Sequence, residues 1–431
     1  MRGGFAAWLG RVAAVLAIAG AGARAEAAGA HWVATWAAAP QQPPPASVQH
    51  YETRTLRLIV RTTIGGRVLR VRIGNLYGRA PLRIGAAHVA LRTAEADVDP
   101  ATDRPLRFHG RTATLIPAHG AVLSDPVRLS LPPEADLAVS LFLPGPAAAE
   151  TVHVLAQQTS YESAAGDWSQ AAHFPVEGKL RSWPFLAAVE VGAPGRAAAL
   201  VAFGDSLVDG DGSTADRNRR WPNLLAHRLA VAGRPLAVVN EGIIANRLLR
   251  GVAPRMRGEF GGIPGEAGLE RFRRDVLAQP GARCVIVRIG SNDLGFPGAF
   301  TPADESVSAA ALIAGTRRLI ALARRNGLAV FGTTMPPFEG ATLAPGLYSA
   351  EKERVRGQVN DWVRHSRAFD GIVDFDLVLR DPGHPARLRP RYDSGDHLHP
   401  NDAGYGALAD AVPIAMLWPR CAASNRRRRT G

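Results

Sequence analysis

The chain has 431 residues, more than one hydrophobic core usually organises, so two domains of ordinary size are expected. Hydrophobic residues at 46% against 21% charged exclude a compositionally disordered chain. The formal charge of +13 rests almost wholly on arginine, since Lys179 and Lys352 are the only lysines among 51 basic residues; without an aromatic-studded basic repeat it reads as solvated surface and excludes nucleic acid as a partner.

At the N-terminus Arg2 precedes an apolar stretch, Val12 to Ala19, and the small-residue triplets Ala23-Arg24-Ala25 and Ala25-Glu26-Ala27 follow. A basic start, a short apolar centre and an A-x-A site are the parts of a secretory signal peptide, placed over residues 1–28. The apolar centre is short for a membrane span, with an uncleaved anchor as the competing reading. No later segment has 18 uninterrupted apolar residues, so the mature chain is expected to be secreted or periplasmic with no stable span.

Residues 31–191 read as β-structure. Leu56, Leu58 and Val60 alternate with Arg57, Ile59 and Arg61, and Leu69, Val71 and Ile73 alternate with Arg70 and Arg72, a pattern that predicts a hairpin across Gly65-Gly66. Further alternation at Val127-Leu129-Leu131 and Leu137-Val139-Leu141-Leu143 is bounded by Pro132-Pro133 and Pro144-Gly145. Short strands with regular turn signals predict an all-β sandwich or jelly-roll domain. A linker is placed at Gly192-Ala193-Pro194-Gly195.

Over residues 197–420 the period changes. Apolar runs at 198–203, 236–239, 284–289, 329–333 and 372–375 are of strand length, and helix-length amphipathic stretches lie between them at 221–232, 269–278, 306–326 and 349–366. Five buried strands alternating with helices predict an α/β fold with a doubly wound parallel sheet, whose site should lie outside the carboxyl ends of the strands. A last helix follows Pro400-Asn401, and residues 421–431, with Arg426 to Arg429, read as a basic tail. Cys284 opens one apolar run and Cys421 follows the last helix; in an oxidising compartment they either pair or remain two inert thiols.

Three segments carry chemistry. Gly204-Asp205-Ser206-Leu207 ends the first α/β strand, where a serine hydroxyl is presented beside free backbone N–H groups. Gly290-Ser291-Asn292-Asp293 ends the third strand; an amide there can donate to an oxyanion, although turn capping by Asn292 and Asp293 is the blander reading. In Asp393-Ser394-Gly395-Asp396-His397-Leu398-His399-Pro400, one tight turn can set Asp396 on Nδ1 of His399 and leave Nε2 for the serine, with His397 as a bystander.

Together these segments resemble the SGNH/GDSL hydrolases over about residues 198–418, the last one continuing as Asn401-Asp402-Ala403-Gly404-Tyr405. The resemblance implies a flavodoxin-like five-stranded sheet, Ser206 as nucleophile, His399 as base, Asp396 as its orienting carboxylate, and the Ser206 N–H and Asn292 amide as oxyanion donors. The family's remaining donor, usually a glycine N–H, falls at Ala245 in Asn240-Glu241-Gly242-Ile243-Ile244-Ala245-Asn246-Arg247. Alanine can supply that N–H at negative φ, whereas positive φ would strain it. His31-Trp32-Val33-Ala34-Thr35-Trp36 and Asn75-Leu76-Tyr77-Gly78-Arg79-Ala80-Pro81-Leu82 are similar to the β-module of a secreted branch that includes carbohydrate acetylesterases.

The implied activity is ester hydrolysis through an acyl-enzyme, with neither metal nor other cofactor, on short acyl groups such as acetyl on a polysaccharide. A lipase or general short-chain esterase is the alternative, an inactive carbohydrate-binding scaffold is one of another class, and an acyltransferase would use the same acyl-enzyme. Trp32, Trp36, Trp168 and Trp183 either form a sugar-stacking platform or, as is more common for tryptophan, pack in the core and between domains.

Overall fold

The computed structural model of the protein describes residues 31–193, 195–252 and 263–422. The signal peptide, Pro194 of the linker and residues 423–431 of the basic tail lie outside the described residues.

Period-two alternation produces a two-sheet antiparallel sandwich. One sheet runs in the order His31–Ala37, Leu186–Ala193, Gly66–Asn75, Gly120–Leu123, with Val127–Leu131 also on Gly66–Asn75. The other runs Val176–Leu180, Ser160–Ala165, Arg54–Arg61, Asp136–Leu143, Ala86–Ala94, Asp97–Val98. Leu56, Leu58 and Val60 of the second sheet face Leu69, Val71 and Ile73 of the first across one fully buried core. The predicted hairpin is therefore corrected: Arg54–Arg61 pairs with Asp136–Leu143 and Ser160–Ala165, and Gly66–Asn75 belongs to the opposite sheet. Alternation reveals which face of a strand is buried but not which strand lies beside it. The chain crosses between sheets at residues 62–65, pinned by Thr35 Oγ1, which accepts the N–H groups of Thr63 at 3.0 Å and Ile64 at 2.9 Å.

The second half forms a five-stranded all-parallel sheet in the order Leu236–Gly242, Ala198–Gly204, Ala282–Arg288, Ala329–Thr333, Gly371–Val373. This is the flavodoxin-like order, and its direction reverses between the first and third of these strands in chain order, where a crevice opens at their carboxyl ends. Helices Trp221–Val231, Ala309–Arg325, Ala350–His365 and Asp402–Ala411 cover the two faces through separate apolar clusters. The predicted helix at 269–278 is instead a short α-turn, Gly268–Phe272, continued by a π-helical turn, Arg273–Leu277. Cys284 and Cys421 form a disulfide with Cα atoms 5.4 Å apart. Among the described residues no helix is long and apolar enough to cross a membrane.

Small side chains join the two halves. In His31–Ala37, Val33 and Trp36 point into the sandwich core, whereas Ala34 and Ala37, with Ala188, pack among Val201, Phe203 and Val239 of the parallel sheet. Hydrogen bonds from Ala34 N–H to the Pro280 carbonyl (2.9 Å) and from His31 Nε2 to the Ala197 carbonyl (2.8 Å) close the seam. Trp36 and Trp183 are buried edge to face at 4.9 Å, and Trp32 lies under the Arg70 guanidinium, so of the four tryptophans only Trp168 is exposed.

Candidate active site

The first α/β strand is apolar and wholly buried until Gly204, whose position is dictated by space. A Cβ there would lie 2.0 Å from the Arg288 carbonyl and 2.5 Å from Val208 Cγ2. Asp205 caps the following helical turn, Ser206–Asp209, by accepting the Leu207 N–H at 3.2 Å, and its other oxygen lies 3.1 Å from Arg288 Nη1. Arg288 also donates to Ser291 Oγ at 2.9 Å, tying the loops after the first and third strands together. Ser206 emerges from this turn 5% exposed.

Its hydroxyl meets a loop from the far end of the chain. His399 Nε2 lies 2.9 Å from Ser206 Oγ, and His399 Nδ1 lies 2.6 Å from Asp396 Oδ2. Asp396 Oδ1 accepts the N–H groups of His399 (2.8 Å) and Leu398 (2.9 Å) and the Ser394 hydroxyl (3.1 Å). Burial alone would raise the Asp396 carboxyl, but the hydrogen bond and charge of His399, with these backbone N–H groups, hold it well below the usual carboxylate range. Burial alone would lower His399, yet its hydrogen bond to Asp396 and the charges of Asp211, Asp396 and Asp205 raise it above the ordinary imidazole value. His397 points away, half-exposed and bonded to Asp393.

The residues expected to face an oxyanion come from three strand ends. Ala245, 5% exposed, sits at φ +62°, so the left-handed geometry that strains alanine is the one present. Neither its N–H nor that of Ser206 donates to any group among the described residues. Asn292 Nδ2 donates to the Asn246 carbonyl at 2.9 Å, which spends one of the two amide protons and sets the side chain beside the Ala245 turn. Asp293 is not a cap of its own turn; its oxygens accept the N–H groups of Leu248 (2.6 Å) and Leu249 (2.8 Å), and burial pushes its carboxyl up to about 6.

Sequence reasoning missed three supports of this side, Asp209, Arg271 and Asn246, and one carboxylate, Asp211, beside the imidazole. Asp209 Oδ2 accepts the Ile244 N–H at 2.9 Å, and Gly242 permits that approach, since a Cβ there would lie 2.2 Å from Asp209 N. Arg271, fully buried, donates to the Gly204 carbonyl (2.7 Å), the Glu241 carbonyl (2.9 Å) and Asn246 Oδ1 (3.0 Å). Asn246 anchors the turn outward through the Pro264 and Glu266 carbonyls. Asp211 Oδ2 stands 3.7 Å from His399 Nε2. Asp209 and Asp211 lie within five residues of Ser206 and were legible by proximity; single arginines in so arginine-rich a chain carry no signal. Among the described residues no group of three or more His, Cys, Asp or Glu side chains could hold a metal ion.

Residues 202–407 match the GDSL-like Lipase/Acylhydrolase family. The α/β half of the chain is a GDSL-like lipase/acylhydrolase domain. Solved structures similar to this domain include a carbohydrate acetylesterase family member from Sinorhizobium meliloti, 19% identical, covering 51% of this chain and 99% of that one with a TM-score of 0.39. The aryl esterase of M. smegmatis is 18% identical over 50% of this chain and 96% of its own, with a TM-score of 0.38. A lipase/acylhydrolase from Enterococcus faecalis is 19% identical over 52% and 96%, with a TM-score of 0.37. No curated protein matches the sequence. The match implies ester hydrolysis as the chemistry of residues 202–407.

Proposed function

We propose that the protein is an exported serine esterase that cleaves carboxylic esters through an acyl-enzyme, acting on short acyl groups, acetyl foremost, carried by carbohydrate. The observation that carries this reading is the unbroken line from Asp396 through His399 to Ser206, at 2.6 Å and 2.9 Å. Ser206 Oγ attacks the acyl carbon as its proton passes to His399 Nε2, and Asp396 stabilises the imidazolium. The tetrahedral oxyanion is held by the N–H groups of Ser206 and Ala245 and by the amide of Asn292. Collapse breaks the ester C–O bond, and Nε2 returns its proton to the departing alcohol. Water then enters, loses a proton to Nε2, and releases the acid and a regenerated serine.

Asp211 supports a polyhydroxylated alcohol. Nε2 hands its proton to the leaving oxygen, so the groups flanking that oxygen come to lie beside Asp211, whose side chain is 29% exposed. A carboxylate accepts hydrogen bonds from sugar hydroxyls and repels acidic substrates. The Cys284–Cys421 disulfide supports an oxidising compartment. A second reading, a lipase or general short-chain esterase, draws on the apolar cluster of Ala245, Phe296, Phe300 and Leu347, with Ile244, Ala341 and Leu398 half-buried against it.

Turnover is to be measured on acetylated glycans and on aryl esters of increasing acyl length, beside Ser206→Ala. Glycan deacetylation, a preference for acetyl and loss of turnover in Ser206→Ala are the expected results. A preference for long chains with no glycan deacetylation would reject the substrate assignment, and equal rates for both proteins would remove Ser206 from its role.

A further inference from the structure

His153 reaches from the sandwich into the seam, and every polar atom bonded to its ring is an acceptor. Nδ1 lies 2.9 Å from the Ala39 carbonyl, and Nε2 lies 3.0 Å from Asp209 Oδ1 and 3.2 Å from the Leu155 carbonyl. A neutral imidazole has one N–H and one lone pair, so one nitrogen would point its lone pair at an oxygen inside the protein. Both nitrogens therefore carry protons, and the ring is an imidazolium paired with a carboxylate; the two side chains are 3% and 1% exposed. Burial opposes that charge and Arg220 repels it, but the charge and hydrogen bond of Asp209 and the Ala39 carbonyl prevail, raising the affinity of His153 for its proton. The ring stacks on Trp183 at 5.5 Å, and Arg220 lies over the same indole at 5.6 Å while donating to the Asp209 carbonyl at 3.4 Å.

Asp209 passes this contact on. One of its oxygens takes His153, the other takes the Ile244 N–H at 2.9 Å, and the next residue is Ala245. The adjoining sandwich segment grips the chain beyond Ser206: Gln157 Nε2 donates to the Gly210 carbonyl at 3.3 Å, and Asp216 accepts the N–H (2.5 Å) and hydroxyl (2.7 Å) of Thr159.

We propose that His153 is a positioning residue for the esterase reaction: as an imidazolium supplied by the sandwich, it fixes the Asp209 carboxylate on the Ile244 N–H and so aims the Ala245 N–H at the oxyanion. This inference rests on the reading of Ser206 as nucleophile. It makes the sandwich a part of the catalytic centre, in place of a separately acting binding module.

The test compares full-length wild type, Ser206→Ala and His153→Gln on 4-nitrophenyl acetate, with rates expressed per active site titrated by a fluorophosphonate for the two serine-bearing proteins and per mole of protein for Ser206→Ala. His153→Gln is expected to lower kcat about 10²-fold, the scale of one lost oxyanion donor, with KM within about threefold. Affinity for phenylboronic acid, which forms a tetrahedral adduct on serine, should fall in step with kcat. An unchanged kcat per titrated site, with Ser206→Ala inactive, overturns the positioning role alone; turnover surviving in Ser206→Ala overturns the underlying reading. If His153→Gln does not fold, 15N-histidine spectra of the wild type decide. A ring in contact with the Trp183 indole should keep both N–H protons at pH 8, and a neutral ring there overturns the proposal.

Discussion

The loop that brings His399 to the Ser206 hydroxyl and the loop that carries Ala245 are held in opposite ways. The His399 loop is built largely from its own residues: Asp393 accepts the N–H groups of Gly395 and His397, Asp396 accepts those of Leu398 and His399, and the Ser394 N–H returns to the His399 carbonyl. The Ala245 loop is held mainly from outside, by Arg271, Asp209, Asp293 and Asn292, which stand 25 to 46 residues away from the groups they bind. The proposed base is therefore set by local chain chemistry and the proposed oxyanion donors by docking of distant elements. Damage far from the serine should fall on the oxyanion side and leave the titration of the base alone.

The largest effect should come from breaking the local loop. Asp396→Asn is expected to lower kcat/KM by about 10⁴-fold, since the imidazolium loses its counter-charge and the correct tautomer is no longer enforced. As the proposed base His399 must be neutral to act, so in the wild type kcat/KM is expected to rise with pH through the elevated His399 titration, and the variant's acid limb should move to lower pH. The Asp396 carboxylate is depressed in the folded protein. Its contribution to stability is thus fully present above about pH 4 and is lost as pH falls through the folded value. Melting curves of the variant should show a shallower acid loss. An unmoved acid limb would break the assignment of His399 as base.

Arg271→Met attacks the other loop from a distance. It leaves Asp275 and the Gly204 and Glu241 carbonyls without their buried donor. Asp275 keeps the Arg274 guanidinium at 2.7 Å, so the cost is that of buried acceptors left without a donor, about 1–3 kcal/mol each, readable by urea unfolding. The kcat should fall while the acid limb stays in place, because the hydrogen bonds of Arg271 among the described residues go to Gly204, Glu241, Asn246 and Asp275 and not to the 393–399 loop. A shift of the acid limb as large as that of Asp396→Asn would show that the two loops are not independent.

The same contrast explains what could be read before folding. Asp-x-x-His is legible because carboxylate and imidazole meet within one turn, and Ser206 and Asn292 are legible because each ends an apolar run in a βα unit, where connection fixes adjacency. Antiparallel strands carry no such rule, so Leu56-Leu58-Val60 and Leu69-Val71-Ile73 announced buried faces and concealed that the faces look at each other. Arg271 and His153 work through contacts between remote segments, and His153 in Val152-His153-Val154 has no local pattern to set it apart; Asp209 stands near Ser206 in sequence, but its bonds to Ile244 and His153 come only with folding. The disulfide stood between these cases: the strand start and helix end suggested a pairing that only packing could decide.

The smallest effect concerns Ala245 itself. At φ +62° an L-residue pays about 1–2 kcal/mol in steric strain. Glycine would remove that strain but adds freedom to the unfolded chain, worth about 0.4–1 kcal/mol in the other direction. Ala245→Gly is therefore expected to stabilise the fold by a net of about 0.5–1 kcal/mol, a rise of about 1–2 °C in melting temperature. The strain persists because Asp209, Asp293, Asn292 and Arg271 fix the turn from several sides, so relieving it should not require the backbone to move. A melting temperature below that of the wild type would mean that the Ala245 methyl, packed with Phe296, Phe300 and Leu347, contributes more than its backbone costs, and that the loop is held by its own apolar contacts as well as from afar.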